Sequence, residues 1–194
     1  MNRRRLLAAM SAGAMSVLAA PVLGQRGSGA RTGGCGSITT SNIEGPFYLP
    51  GAPETRALSS DGALLISGRV LSASCGPARN GVIEVWQANE EGEYDLQGFQ
   101  NRGVVRCNSA GQFSFRTVRP GNYLNGRRYR PAHIHVKVHA DGRPTLTTQL
   151  YFADDPHNDS DAWFRDTLVL RDAPQGCSAP DPARPTAKVF TFVV

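Results

Sequence analysis

Short runs of alternating apolar and polar residues recur along the chain from about residue 64 to its end. Alternation with a period of two places successive side chains on opposite faces, which is typical of β-strands in a half-buried sheet. The runs predict strands at 64–71, 82–88, 104–107, 112–118, 132–139, 147–152 and 188–194. Strands of this length, separated by turns rich in glycine and proline, predict an all-β fold, a β-sandwich.

Little helix is expected, because no long stretch has apolar residues spaced for one face of a helix. One short helix is predicted near residues 159–164, where Asp159, Ser160 and Asp161 could cap its first turn. The residues that carry chemistry are therefore expected on loops and on one strand.

The first 24 residues have the layout of an export signal. Arg3-Arg4-Arg5 is followed by a mostly apolar run of small residues at 6–18, which resembles a twin-arginine signal. This run is too short for a confident membrane span. We predict an export signal at 1–24, a flexible leader at 25–36 and a single β-sandwich domain at 37–194. The protein would then be periplasmic or extracellular, with no stable membrane span after processing.

Composition and net charge limit the kinds of partner that the chain is expected to bind. A chain of 194 residues that is 40% hydrophobic is long enough for one domain with a real core. The formal net charge of +5 falls to +2 when Arg3, Arg4 and Arg5 are removed with the signal. A charge this small does not predict a nucleic-acid partner. The oligomeric state stays open, with a homo-oligomer as one alternative.

Four cysteines remain after the signal: Cys35, Cys75, Cys107 and Cys177. An even count in an exported protein suggests disulfides, and their spacing does not resemble a zinc site. Two disulfides, in any of three pairings, and one disulfide with two buried thiols are left open.

A His-x-His pair gives the first candidate site. His133 and His135 would share one face of the strand at 132–139, while Ile134, Val136 and Val138 point to the core. Two imidazoles on one face could bind one metal ion. The same pattern also fits two histidines that face solvent.

Two tyrosines extend this candidate site. Tyr94 and Tyr123 lie in predicted loops between the strands. Phenolate is a hard donor that suits a hard trivalent ion such as iron(III). Because an unperturbed tyrosine has a pKa of about 10, only a strongly acidic metal ion would deprotonate it at neutral pH. Taken singly, each tyrosine fits a packing role at least as well.

Four sequence segments together resemble the intradiol ring-cleavage dioxygenases. They are most similar to the catalytic, iron-binding subunit of protocatechuate 3,4-dioxygenase, and the likeness runs from about residue 44 to residue 152. The segments are Glu44-Gly45-Pro46-Phe47-Tyr48, Val85-Trp86-Gln87-Ala88-Asn89 with Gly92-Glu93-Tyr94, Pro120-Gly121-Asn122-Tyr123, and Arg130-Pro131-Ala132-His133-Ile134-His135. Their common order makes the resemblance specific.

The resemblance implies a non-haem iron(III) cofactor. By position, its protein ligands would be Tyr94, Tyr123, His133 and His135. Tyr123 would be the ligand that the substrate displaces, and it would also act as a base toward a substrate hydroxyl.

Further site residues follow from the same resemblance. Arg130 would lie beside the bound ring and stabilise the negative charge that develops on it. Gln149 would lie near the guanidinium of Arg130, and both are expected to serve catalysis. Ile43 and Pro46 would form walls of the substrate pocket, together with Arg130.

The implied reaction opens a catechol-type ring with O2 and gives a cis,cis-muconate-type diacid. Protocatechuate, catechol and hydroxyquinol-like rings are all candidate substrates. The stretch between Tyr94 and Gly103 is short for the family, so the substrate stays open. Two alternatives are a non-catalytic exported β-sandwich that binds aromatics or metal, and an enzyme of the same fold that uses another metal.

Overall fold

The computed structural model of the chain describes residues 36–174 and 186–194. Its strands are β1 Leu64–Leu71, β2 Val82–Gln87, β3 Arg102–Arg106, β4 Gln112–Thr117, β5 Tyr123–Asn125, β6 Arg128–Arg130, β7 His133–His139, β8 Leu146–Tyr151, β9 Arg171–Asp172 and β10 Thr186–Val193. Within these residues, helix is limited to two 3₁₀ turns, at Asn158–Ser160 and Asp166–Leu168. The expected export signal, Cys35 and Cys177 lie outside the described residues.

Two four-stranded sheets form the body of the domain. Their strand orders are β4-β1-β10-β9 and β3-β2-β7-β8. Strands β1 and β10 pair in parallel, and the other neighbours are antiparallel. A single buried cluster takes side chains from both sheets, including Ile66 and Phe192 from the first and Ile83 and Ile134 from the second. The predicted all-β sandwich is therefore confirmed.

Strand β7 illustrates how alternating apolar residues in the sequence contribute to this core. Ile134, Val136 and Val138 join the buried cluster, as their alternation predicts. The two histidines between them face the other way, and yet they are also buried, with exposures of 2% for His133 and 1% for His135. Other segments of the chain must therefore cover the second face of β7, which no local pattern indicates.

The β5–β6 hairpin corrects one sequence-based expectation. Tyr123 was expected in a loop, but it begins β5. Gly126 has a φ of +66° and is the first residue of a two-residue turn, where glycine tolerates the positive φ that the turn requires. The pairing register sets Tyr123 directly opposite Arg130. The hairpin therefore brings together two residues that lie seven positions apart.

The short helix predicted at 159–164 is wrong. A single 3₁₀ turn at Asn158–Ser160 takes its place. The carboxylate of Asp161 accepts hydrogen bonds from the backbone N–H of Trp163 and from Arg130. Because these contacts use the carboxylate outside any helix, the local capping signal was misleading.

Two further observations concern membrane-spanning helices and cysteines. Within residues 36–174 and 186–194, no helix is long and apolar enough to cross a membrane. Cys75 and Cys107, both in the described part, are not bonded to each other. Burial raises the pKa of the Cys107 thiol to about 11, so this thiol stays protonated at neutral pH.

Candidate metal and substrate site

The two histidines of β7 point their Nε2 atoms at each other. These atoms lie 3.1 Å apart. The Nδ1–H of His133 donates to the carbonyl oxygen of Pro131 at 2.7 Å, which leaves a lone pair on Nε2. Two nitrogen ligands bound about 2.1 Å from one metal ion at a right angle are about 3 Å apart. The pair is thus already spaced for a shared metal ion.

Burial keeps both imidazoles neutral. Loss of solvent, and then the charge of Arg130, lowers the pKa of His133 to about 3. Loss of solvent, followed by the neighbouring His133, also holds the pKa of His135 well below its usual value. Trp86 stacks on His135, with ring centroids 4.9 Å apart and planes 10° from parallel. Neutral, sterically fixed imidazoles are the form that binds metals.

Tyr94 supplies a buried phenol next to this pair. Its ring stacks on Phe47 at a centroid distance of 4.3 Å and lies 6.2 Å from the ring of His135. Its Oη is buried and has no hydrogen-bond partner within the described residues. Burial, followed by the neighbouring Tyr123, raises the pKa of Tyr94 above its usual range. A buried hydroxyl without a partner costs about 1–3 kcal/mol, a cost that a bound metal ion would remove.

Tyr123 is the fourth ring of a group that it forms with Tyr94, His133 and His135. Its ring centroid lies 5.8 Å from that of Tyr94 and 5.7 Å from that of His133. Among the described residues, no three His, Cys, Asp or Glu side chains form a metal cluster, so a metal here would need the tyrosines as ligands. Two neutral nitrogens with two phenol oxygens fit a hard trivalent ion, because phenolate is a hard, basic donor. The residues present are therefore compatible with iron(III).

Arg130 lies against this four-ring group. Its Nη1 donates toward Nε2 of His133 at 3.2 Å and toward Oη of Tyr123 at 3.5 Å. Its Nη2 donates to Oε1 of Gln149 at 2.9 Å, and its Nε donates to Asp161 at 2.9 Å. Five donors on one rigid fork let a single side chain bridge these four partners, and Nη2 also donates to Oη of Tyr151 at 3.4 Å.

The Arg130–Asp161 ion pair is buried, with side-chain exposures of 4% and 1%. Burial by itself would lower the pKa of Arg130, but Tyr123 and Asp161 outweigh it and the net shift is upward. The ring of Trp163 covers the guanidinium at 4.6 Å, a cation–π contact. Arg130 therefore brings a fixed positive charge to the edge of the candidate metal site.

A polar network fixes Gln149 in turn. Its Nε2 donates to the carbonyl oxygen of Ile43 at 2.8 Å, and its Oε1 accepts from Tyr151 at 2.8 Å. Asn42 lies in the same network, since its Nδ2 donates to the carbonyl oxygen of Trp163 at 2.8 Å. The segment before residue 48 is thereby joined to β8 and to the Arg130 cluster.

Comparison with known proteins agrees with this geometry. A family model described as a dioxygenase matches residues 43–174. Hydroxyquinol 1,2-dioxygenase of Rhizobium sp. (strain MTP-10005) is 35% identical over 150 residues, which are 64% of this chain and 51% of the relative. Catechol 1,2-dioxygenase of Acinetobacter baylyi is 33% identical over 168 residues, which are 71% of this chain and 54% of the relative.

One solved structure of a dioxygenase domain is also similar to this chain. The dioxygenase domain of a dioxygenase–carbohydrate-binding protein fusion from Streptomyces sp. SirexAA-E is 36% identical, with a TM-score of 0.70. The match covers 81% of this chain and 98% of that domain. The chain belongs to the intradiol ring-cleavage dioxygenase family. It spans about half the length of the curated intradiol relatives just named. Its expected likeness to protocatechuate 3,4-dioxygenase in particular stays a prediction.

Most site residues expected from the sequence of this family member are together in space. Tyr94, Tyr123, His133 and His135 form one ring cluster, and Arg130 with Gln149 adjoins it. Their individual roles remain predictions. The two residues expected to form pocket walls, Ile43 and Pro46, differ in burial. Ile43 is half-buried and its carbonyl oxygen accepts a hydrogen bond from Gln149, whereas Pro46 is exposed.

Gly45 explains why the segment at 43–48 can cover the histidines. Its φ is +72°, and a Cβ atom there would lie 3.2 Å from Cε1 of His135. A side chain would therefore be strained by the backbone conformation and would also press on a candidate ligand.

Arg102 is a site residue that the sequence did not indicate. It is 1% exposed, at the start of β3, and it donates to the carbonyl oxygen of Phe47 at 2.7 Å. Its Nε and Nη2 both donate to the carbonyl oxygen of Asp95, at 3.0 and 2.7 Å. It thereby fixes Phe47 and the backbone next to Tyr94. An arginine at a strand end normally faces solvent, so no local signal revealed this role.

Replacement of Arg102 by methionine is expected to destabilise the iron-free protein by about 2–4 kcal/mol. The reason is the loss of charged hydrogen bonds to carbonyl groups that are partly buried. Chemical unfolding of the iron-free protein measures the effect. Arg106→Met is the matched control on the same strand, because Arg106 forms an exposed pair with Glu54 that contributes at most about 1 kcal/mol. Equal unfolding free energies for the two variants would contradict the role of Arg102.

Proposed function

We propose that this protein is an exported non-haem iron(III) intradiol dioxygenase. It would use O2 to open catechol-type rings to cis,cis-muconate-type diacids. The observation that carries the proposal is the buried Oη of Tyr94, which lacks a hydrogen-bond partner in the described residues and lies beside two paired, neutral histidines. A protein that only packs these groups has no reason to bury an unpaired phenol.

The ligand set would be Tyr94, Tyr123, His133 and His135. Bound iron(III) would supply Lewis acidity, which favours an ionised catechol and draws electron density from its ring. The chain provides rigid ligand geometry, because Trp86 and Phe47 stack on two of the four rings. Burial of the ligands also keeps bulk water away from the reacting ring.

Tyr123 and Arg130 would act on the substrate directly. Tyr123 begins a hairpin strand and is only half-buried, and its phenol oxygen would act as the base for a substrate hydroxyl proton. Arg130 would stabilise the negative charge that develops on the opened ring system. Gln149 and Asp161 would hold the guanidinium in place for this purpose.

The names of the matched relatives support the catechol class of substrate. They include catechol, chlorocatechol and hydroxyquinol 1,2-dioxygenases. Export is inferred from residues 1–24 alone. Fractionation of cells that produce the full chain tests export, and accumulation of the unprocessed chain in the cytoplasm would argue against it.

Colour and oxygen uptake test the proposal together. The iron-loaded protein is expected to be red, from charge transfer between tyrosinate and iron(III), and to consume O2 with at least one of catechol, protocatechuate and hydroxyquinol. His139→Ala is the matched control, since His139 lies on β7 but is half-exposed and pairs with Glu84. This variant should keep iron, colour and turnover.

Each alternative predicts a different result. A colourless protein with full iron occupancy would contradict tyrosine ligation. A red protein that binds catechols but takes up no O2 would be the non-catalytic binder. Activity that requires a different metal would indicate the third alternative.

A further inference from the structure

A cleft lies next to the candidate metal site, between the β5–β6 hairpin and the segment at 160–163. Its volume is about 320 Å³, which is within the range of small-molecule sites. Arg127 and Arg128 line it on the hairpin side, and Trp163 lines it on the other side. Arg130 and Asp161 form part of the wall.

The cleft carries two uncompensated positive charges. Asp161 is the acidic residue among those that line it, and Arg130 already neutralises Asp161 at 2.9 Å. Within the described part of the chain, the side chains of Arg127 and Arg128 make neither an ion pair nor a hydrogen bond. Guanidinium groups that lack a protein partner are suited to bind a carboxylate through paired hydrogen bonds.

Arg130 links this cleft to the ring cluster. The same guanidinium that lines the cleft lies 3.2 Å from Nε2 of His133 and 3.5 Å from Oη of Tyr123. A ring bound at the cluster would therefore have the cleft beside it, on the side of Arg130.

The hairpin register gives the backbone spacing between Arg130 and Arg128. Tyr123 pairs with Arg130, and two residues farther along the hairpin Asn125 pairs with Arg128. Residues two apart in a strand share a face and are separated by about 7 Å. Arg128 thus lies on the face of Arg130, about 7 Å toward the hairpin tip, and Arg127 lies in the turn beyond it. A carboxylate on a side chain of a few carbons would extend farther from the ring toward Arg127 and Arg128 than one attached directly to the ring.

We infer that the cleft binds an anionic group on the side chain of the aromatic substrate. The preferred substrates would then be catechols with a short carboxylated side chain, rather than uncharged catechols. This inference rests on the proposed function, because it extends the substrate position beside Tyr123 and Arg130.

The test compares 3-(3,4-dihydroxyphenyl)propanoate with its uncharged methyl ester, on the iron-loaded full chain. Oxygen uptake should give a kcat/KM for the acid about tenfold above that for the ester. In the double variant Arg127→Gln, Arg128→Gln this preference should disappear, with the ester value unchanged within about twofold. Added salt should weaken the preference in the unmodified protein. Arg127 and Arg128 are exposed to solvent, where salt screens their attraction for a carboxylate. The control Arg143→Gln removes an exposed arginine in the β7–β8 turn and should leave the preference intact.

A binding measurement separates this inference from the proposed function. The unreactive 3-(4-hydroxyphenyl)propanoate should bind the iron-free protein at least about fivefold more tightly than it binds the double variant, by calorimetry. Equal turnover of acid and ester by the unmodified protein would overturn the cleft as a substrate subsite and leave the proposed function standing. Absence of turnover with every catechol would refute the proposed function, while charge-dependent binding in calorimetry would still support an anion site in the cleft.

Discussion

Replacement of Tyr94 by phenylalanine is expected to weaken iron binding by at least about 100-fold, since loss of even an outer-shell partner of a metal ligand costs 10–100-fold. The same change should stabilise the iron-free protein by about 1–3 kcal/mol. Both effects have one cause, because the hydroxyl that would bind iron is buried and has no other partner within the described residues. Iron content after dialysis against a chelator measures the first effect, and chemical unfolding of the iron-free protein measures the second.

This prediction is specific because iron binding should weaken while the stability of the iron-free protein should rise. A tyrosine that only packs would lose stability, or keep it, without any change in iron content. Tyr129→Phe is the matched control, since Tyr129 is 51% exposed, and neither iron content nor unfolding should change in it. Full iron occupancy in Tyr94→Phe would remove Tyr94 from the ligand set.

Replacement of Arg130 by methionine is expected to impair both folding and turnover. Asp161, 1% exposed, would be left as an unpaired buried charge, and loss of one partner from a buried ion pair costs about 3–5 kcal/mol. Turnover should fall about 10²–10³-fold in kcat/KM, the usual effect of losing one group that stabilises developing charge. Unfolding free energy and oxygen uptake measure the two effects separately.

A second variant separates these effects. Arg130→Met combined with Asp161→Asn should recover most of the lost stability, because no buried charge remains, but turnover should stay low. Arg106→Met is the control for a surface pair, since Arg106 and Glu54 are largely exposed and contribute at most about 1 kcal/mol. Recovery of turnover together with stability in the double variant would mean that Arg130 has only a structural role.

Local patterns predicted the strands well where both periodicity and burial were strong. The run at 64–71 matches β1 residue for residue, and the start of β2 at Val82 is also correct. The β5–β6 hairpin is not predicted although Gly126 stands at the first position of a two-residue turn, where glycine is favoured, because its strands are three residues long and too short to show alternation. The short helix was predicted wrongly because the acidic group that seemed to cap it pairs instead with Arg130, 31 residues earlier.

The sequence by itself determined which donors are available and on which face of β7 two of them lie. A period of two assigns His133 and His135 to one side of the strand without any tertiary information. The resemblance to a known family then assigned the tyrosines and Arg130, and family membership is confirmed.

Only the tertiary structure decided that these donors meet in a buried site. Whether the histidine face of β7 is wetted or covered depends on the distant segment that carries Gly45, which lies against His135. Arg102 holds the same segment at the carbonyl oxygen of Phe47. The partner of Arg130 was likewise decided by long-range contact with Asp161. Alternation along a strand specifies the direction of a side chain but not what packs against it, since packing depends on segments that only the folded chain brings together.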